Sequence, residues 1–200
     1  KEQLQKDFDN IVKNLSLSQR DIEIKQFYLD NFINKGFPNR RVEDWKFSDL
    51  NQIINKNIGE LSFYSDYTST NKVDTSVFVD GLEHNKIVFV NGRIEKIDFD
   101  YEIKDQIEIV DKSETINKFN NNNSLSDLNN AFTNKSFKIL VKNGYQLTKP
   151  LIIYHTTNSK IWSKNINLRL DFELGKDSSL RLIDLFNDCL LYTSPSPRDL

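Results

Sequence analysis

The 200-residue sequence predicts an α+β protein: an N-terminal helical region and a small hairpin subdomain, followed by a strand-rich remainder. Three observations predict it. Apolar residues recur at helical spacing between Leu4 and Ile33, Asn91-Gly92 stands between two runs of strand formers, and strict apolar–polar alternation runs from Ile166 to Leu174. The first pattern has the period of a helix and the third that of a strand. Asn-Gly between strand formers marks a tight hairpin, because both central residues must reach positive φ.

Leu4, Phe8, Ile11, Val12 and Leu15 form one apolar stripe with Lys, Gln, Asp and Asn between them, so the first helix is amphipathic. Ser16 and Ser18 break it. Ser18 followed by Asp21 starts a second helix, whose apolar positions are Ile22, Ile24, Phe27, Tyr28, Phe32 and Ile33. Gly36 ends that helix, since glycine takes the left-handed conformation without a Cβ clash, and Pro38 prevents its continuation. Ser48 is placed to cap a short helix from Asp49 to Asn55. Leu61 to Thr75 is polar with scattered aromatics and reads as a connection. The hairpin strands are Lys86 to Val90 and Arg93 to Ile97, and Ile107 to Val110 is a further strand. Asn120 to Asn123 is a low-complexity loop, after which Ser124 caps a helix reaching Phe132. Strands are expected at Phe137 to Val141, Leu151 to Tyr154, Ile166 to Leu174, and around Leu180, Leu182 and Leu185. Short strands with evenly spaced turns fit a sandwich, a barrel or a parallel β-helix, and the pattern does not choose among them.

Composition narrows the function classes. Lys and Arg total 27 against 29 Asp and Glu, a net charge of -2, and nothing resembles the basic stripe of a nucleic-acid binder. No apolar run approaches the length that spans a membrane, and the alternating charges of Lys1 to Leu17 do not make a secretory signal. A cytosolic protein with no nucleic-acid or membrane partner is expected. The one cysteine, Cys189, excludes an intramolecular disulfide and a multi-cysteine metal or cluster site. There is no Gly-x-Ser-x-Gly and no phosphate-binding glycine loop.

Few residues invite chemistry. Asp171 and Glu173 share one strand face, about 7 Å apart from the rise per residue, a spacing similar to the carboxylate pair of an inverting glycosidase. Any amphipathic strand with acids on its wet face produces the same pair. His84 and His155 are the only histidines, and neither has a second ligand at metal-binding spacing, so both are expected at the surface or in turns. Trp162 is an isolated aromatic near a bend. Asn122-Asn123-Ser124 matches a glycosylation sequon that matters only in a secreted protein. No catalytic, cofactor-binding or metal-binding residue is assigned.

One stretch is distinctive as a word: Gly36-Phe-Pro-Asn-Arg-Arg-Val-Glu-Asp-Trp-Lys-Phe-Ser-Asp-Leu50. Read physically it is an ordered connector, with Arg40 and Arg41 pairing with Glu43 and Asp44 while Trp45 and Phe47 plug a small core. As a word it resembles the N-terminal signature of the SufB/SufD family of the SUF iron–sulfur assembly system, and Glu-Asp-Trp-Lys-Phe resembles its SufD branch. The hairpin Phe89 to Gly92, the run Leu125 to Phe132 leading into Phe137 to Tyr154, and Ser179 to Asp184 are also similar to that family, in the same order. The resemblance covers most of residues 20 to 187.

The resemblance implies a right-handed parallel β-helix whose first rungs begin at Phe137. It implies a non-enzymatic scaffold subunit that pairs with a SufB-like subunit and a SufC-like ATPase to build and transfer iron–sulfur clusters. It places no cofactor in this stretch; a cluster or iron belongs to the whole assembly. The implied organisation is 1-60 helical, 61-135 a connecting segment with the hairpin, 136-187 the start of the β-helix, and 188-200 a tail resembling translated adapter sequence. The missing methionine and the start at Lys1 lead to the expectation that the chain begins inside a reading frame or after processing. A β-helix cut at Asp184 is expected to expose apolar rungs. A β-solenoid carbohydrate enzyme using Asp171 or Glu173, and a bare interaction module, are the alternative functions.

Overall fold

The computed structural model describes residues 2–15, 17–42, 45–47, 49–57, 62–63, 72–111, 123–133, 135–158 and 164–187. The elements in chain order are α1 (Glu2–Lys13), α2 (Gln19–Lys35), α3 (Leu50–Asn57), β1 (Asn85–Val90), β2 (Arg93–Asp98), β3 (Ile107–Asp111), α4 (Ser124–Phe132), β4 (Lys135–Val141), β5 (Leu151–Thr156), β6 (Leu168–Leu174) and β7 (Leu182–Asn187). They divide between two compact units. One comprises Lys1–Ser65, Ile109–Lys138 and Ser163–Asp171, the other Asp66–Glu108, Ile139–Trp162 and Phe172–Leu200.

The first unit holds the four described α-helices. Its central element, α2, starts where the Ser18 side chain accepts the Asp21 N–H at 3.2 Å. It ends at Gly36, whose N–H reaches the Phe32 carbonyl at 2.7 Å and whose φ of 71° turns the chain out of the helix. Ile24, Tyr28, Leu29 and Phe32 pack with Phe8 and Ile11 of α1, with Leu128, Ala131 and Phe132 of α4, and with Phe63. Sinking one large aliphatic or aromatic side chain in such a core stabilises by about 1.5–3 kcal/mol. Lys25 lies on the same buried face and donates to the Thr133 carbonyl at the end of α4. Lys35 pairs with the fully buried Asp127 at 2.8 Å. Two lysines of α2 thus hold α4 near its two ends.

One cap differs from expectation by one residue. Asn123, not Ser124, caps α4 by accepting the N–H groups of Leu125 and Ser126. The neighbouring serine side chain offers an equally short oxygen, and backbone geometry chooses between them. At the start of α3 Asp49 accepts the Gln52 N–H (3.1 Å), and the expected cap Ser48 lies outside the described residues.

The second unit is built on β1. Asn91 and Gly92, with φ of 52° and 79°, turn the chain so that β2 returns antiparallel, Val90 facing Arg93. On its other side β1 pairs parallel with β5, Asn85 opposite Leu151, and β5 pairs parallel with β7, Leu151 opposite Leu182. The sheet order is β2-β1-β5-β7. Val88, Val90, Ile152 and Tyr154 are buried together beneath Val73, Val77, Phe78 and Leu185. A three-stranded sheet has the order β3-β4-β6, and by residue number the division between the units falls inside each of its strands.

The expected right-handed parallel β-helix is corrected by this topology. The described strands form two small open sheets, neither closed nor wound into a solenoid, and the larger mixes an antiparallel β1–β2 pair with parallel pairs. Alternation and turn spacing specify where a strand runs and which face is apolar. They do not specify its neighbours, which depend on pairings between residues far apart in sequence. The chain is therefore a mixed α/β protein.

Candidate functional site

The polar side chains with the most organised surroundings all lie in the second unit, around β5. Tyr154 is fully buried at the middle of this strand and its hydroxyl accepts the Val79 N–H at 3.0 Å. The same hydroxyl lies 2.7 Å from Nε2 of His84, whose Nδ1 is 2.5 Å from the Leu82 carbonyl. The arrangement closes if Nδ1–H donates to Leu82 and Nε2 accepts the tyrosine proton, a tautomer assigned from the partners. His84 is thus a buried latch between the segment before β1 and the centre of β5, not a surface or turn residue.

His155 follows on the opposite face of β5. Its ring is stacked between Phe89 of β1 (5.3 Å between centroids, 7° between planes) and Phe186 of β7 (4.4 Å, 8°). Nε2 is 2.8 Å from Oδ1 of Asp184. Burial between the two rings lowers the pKa of His155, and Asp184 opposes that effect without cancelling it. The second histidine is therefore a half-buried strand residue carrying a carboxylate partner, again not a turn residue.

Glu102, in the turn before β3, is the third centre. Its carboxylate accepts from Tyr145 Oη (2.6 Å), Asn85 Nδ2 (2.6 Å) and the N–H groups of Thr148 and Lys149 (both 3.1 Å). Burial pushes its pKa up, and the hydrogen bonds from Tyr145, Asn85, Lys149 and Thr148 together outweigh this and hold it below the usual value. The group ties the 101–103 turn to the loop that leads into β5.

The other sequence candidates are dispersed. Asp171 and Glu173 lie on β6, and Asp171 is engaged by Arg169 Nε at 3.0 Å. That ion pair occupies the carboxylate that an acid–base pair would need. Phe47 is exposed and does not plug a core, and Val42 is exposed beside it; Glu43 and Asp44 lie outside the described residues. So do Trp162, Cys189, Asn122 and the whole 188–200 segment. Among the described residues no group of three or more His, Cys, Asp and Glu side chains is arranged to hold a metal ion, and no helix is long and apolar enough to cross a membrane.

Sequence reasoning missed Glu102, the Asp184 partner of His155, and Lys25. Lys25 had a readable signal: it sits three and four residues before Tyr28 and Leu29, inside the apolar stripe of α2. The other two depend on contacts across 17 to 47 positions of chain and leave no local trace.

No protein-family model matches this chain, and no curated protein matches it.

Proposed function

We propose that the chain is a non-catalytic subunit of a SUF-type iron–sulfur assembly complex in the cytoplasm, working with a SufB-like subunit and a SufC-like ATPase. The observation that carries this reading is the ordered word Gly36 to Leu50, followed in the same order by the Phe89–Gly92 hairpin and Leu125–Phe132. The placement of two of these words lends support. Leu125–Phe132 falls entirely on α4, anchored to α2 through Lys25 and Lys35, and Phe89–Gly92 supplies the end of β1 and its turn. The organised polar groups of the second unit also fit a scaffold. His84, His155 and Glu102 are each engaged in holding one segment of backbone against another. Iron and sulfur are cargo of the complex in this reading, and the chain itself contributes shape.

The test is co-expression of the tagged chain with the SufB-like and SufC-like subunits of the same genome. Recovery of all three in one complex, with cluster formation that falls when this chain is left out, is the expected result. A SufB–SufC complex that assembles clusters equally well without the chain, and never co-purifies with it, overturns the proposal.

A further inference from the structure

The chain contains two Asn-Gly bonds, Asn91-Gly92 and Asn143-Gly144, and one Asp-Gly bond, Asp80-Gly81. Such bonds are prone to spontaneous ring closure, because glycine has no Cβ to hinder its amide nitrogen from attacking the preceding side-chain carbonyl carbon. In an unstructured chain asparagine closes this ring faster than aspartate. Folding acts against both asparagines. Asn91 is fully buried, its Nδ2 donates to Asn158 Oδ1 at 2.9 Å, and its Oδ1 accepts the Asn158 N–H at 3.0 Å. Asn143 Oδ1 accepts the Lys176 N–H at 2.7 Å, and the attacking Gly144 N–H donates to the Lys176 carbonyl at 2.8 Å. Each ring can close only after two hydrogen bonds break. Asp80 and Gly81 are both exposed, and the Gly81 N–H points at Oδ1 of Asp80 itself at 2.8 Å. A Cβ placed on Gly81 would meet nothing within 4 Å. The nitrogen and the carboxyl group it attacks therefore lie side by side in open space.

We propose that Asp80-Gly81 is a self-modification site, at which the folded chain converts Asp80 to isoaspartate through a cyclic imide. Gly81 N bonds to Asp80 Cγ and gives up its proton, and the carboxyl hydroxyl leaves as water. Water then adds to one of the two imide carbonyls. Addition at Cγ restores aspartate. Addition at the main-chain carbonyl breaks the original peptide bond and leaves the chain running through Cβ and Cγ. One water leaves and one returns, and nothing is oxidised or reduced. The product has an extra methylene in its backbone and a free α-carboxylate, the group on which an isoaspartyl carboxyl methyltransferase acts. Position gives the change a consequence. The Val79 N–H, just before the site, donates to Tyr154 Oη at 3.0 Å, and the Leu82 carbonyl, just after it, meets His84 Nδ1 at 2.5 Å. Nε2 of His84 lies 2.7 Å from the same Tyr154 Oη. The lengthened link falls inside the loop that this latch closes, so isomerisation loosens the latch. This inference does not rest on the SUF reading.

The test is to age the full chain in heavy-oxygen water at mildly acidic pH, folded and in urea, and to map its peptides by mass spectrometry with fragmentation that tells isoaspartate from aspartate. In the folded chain Asp80 is expected to gain heavy oxygen and isoaspartate before Asn91 or Asn143 loses its amide. In urea the asparagines react first. Folding is expected to slow Asn91 by about a hundredfold and Asn143 by about tenfold, from the hydrogen bonds that must break, and to slow Asp80 far less. Asp80→Glu, which cannot close the five-membered ring, takes up no heavy oxygen at position 80. In the isomerised fraction the Val79 amide exchanges faster with solvent. A folded chain in which Asp80 yields no isoaspartate overturns the proposal, as does one in which either asparagine reacts first. Equal slowing of Asp80 and Asn91 on folding, or uptake by Asp80→Glu that matches the wild type, also overturns it. Unchanged exchange at Val79 overturns the link to the latch.

Discussion

Lys25 offers the sharpest test of the helical unit. It is 2% exposed, and burial lowers its pKa from 10.5 to about 8, against a smaller opposing effect of Asp21. The difference is about 2.5 pH units, or about 3 kcal/mol of unfavourable charge burial. Below pH 8 the amine is charged in both folded and unfolded states and the whole penalty is present. Between pH 8 and 10.5 the folded amine has lost its proton while the unfolded one keeps it. Stability therefore rises with pH across this window, by about 1.4 kcal/mol per pH unit at most. Lys25→Met keeps an unbranched side chain and removes the titration. It also leaves the Thr133 carbonyl without this donor, which costs about 1–3 kcal/mol and nearly offsets the charge penalty relieved at neutral pH. Urea unfolding followed by the far-ultraviolet helical signal reports this unit, because the four described α-helices belong to it. Expected are similar midpoints at neutral pH and a wild-type gain above pH 8 that the variant lacks. Parallel pH profiles for the two proteins would refute the buried, desolvated amine.

Two further outcomes concern the second unit. Glu102→Gln replaces one acceptor oxygen by an NH2 group, either Oε2, which accepts from Tyr145 and Thr148, or Oε1, which accepts from Asn85 and Lys149, and is expected to cost about 2 kcal/mol locally, read as faster amide exchange at 148–149. Because the folded pKa of Glu102 is depressed, its contribution is present above the ordinary glutamate value and is lost as pH falls through the folded one; the wild type should show this acid-side loss and the variant should not. For His155, whose folded pKa is also depressed, stability is lost as pH falls from the ordinary histidine value through the folded one. Phe186→Ala opens one face of the ring and should move the His155 titration, followed by NMR, upward toward the ordinary value; a downward move would show that Phe186 does not desolvate the ring.

Local signals were legible and long-range ones were not. Ser18 and Gly36 bounded α2 because a cap and a left-handed glycine act within a few residues, and Asn91-Gly92 announced its turn for the same reason. The cap of α4 was misplaced by one position because Asn123 has a serine as neighbour. Neighbours in the sheets were not readable. That β1 meets β5 across 66 positions of chain, and β5 meets β7 across 31, depends on which pairs of faces bury together. The site residues divide in the same way. Lys25 betrayed itself by sitting in an apolar stripe, whereas Glu102 looked like an ordinary turn acid and acquires its role from Asn85, Tyr145 and Thr148.

The disagreement between pattern and burial is itself informative about function. A continuous apolar run in a strand implies burial on both faces, and in β5 that demand is met: Leu151, Ile152, Ile153 and Tyr154 are all buried. In β6 and β7 burial is incomplete, and Phe172, Leu174, Leu182, Ile183 and Phe186 remain exposed. These five lie between positions 172 and 186 on strands that are the edges of their sheets, and Ile97 on the β2 edge is exposed as well. Single apolar side chains scattered over a surface need no explanation, but several on sheet edges do. The organised polar groups of the same unit tie loops to strands. Exposed apolar side chains on edge strands make self-association a property of this chain to measure alongside turnover.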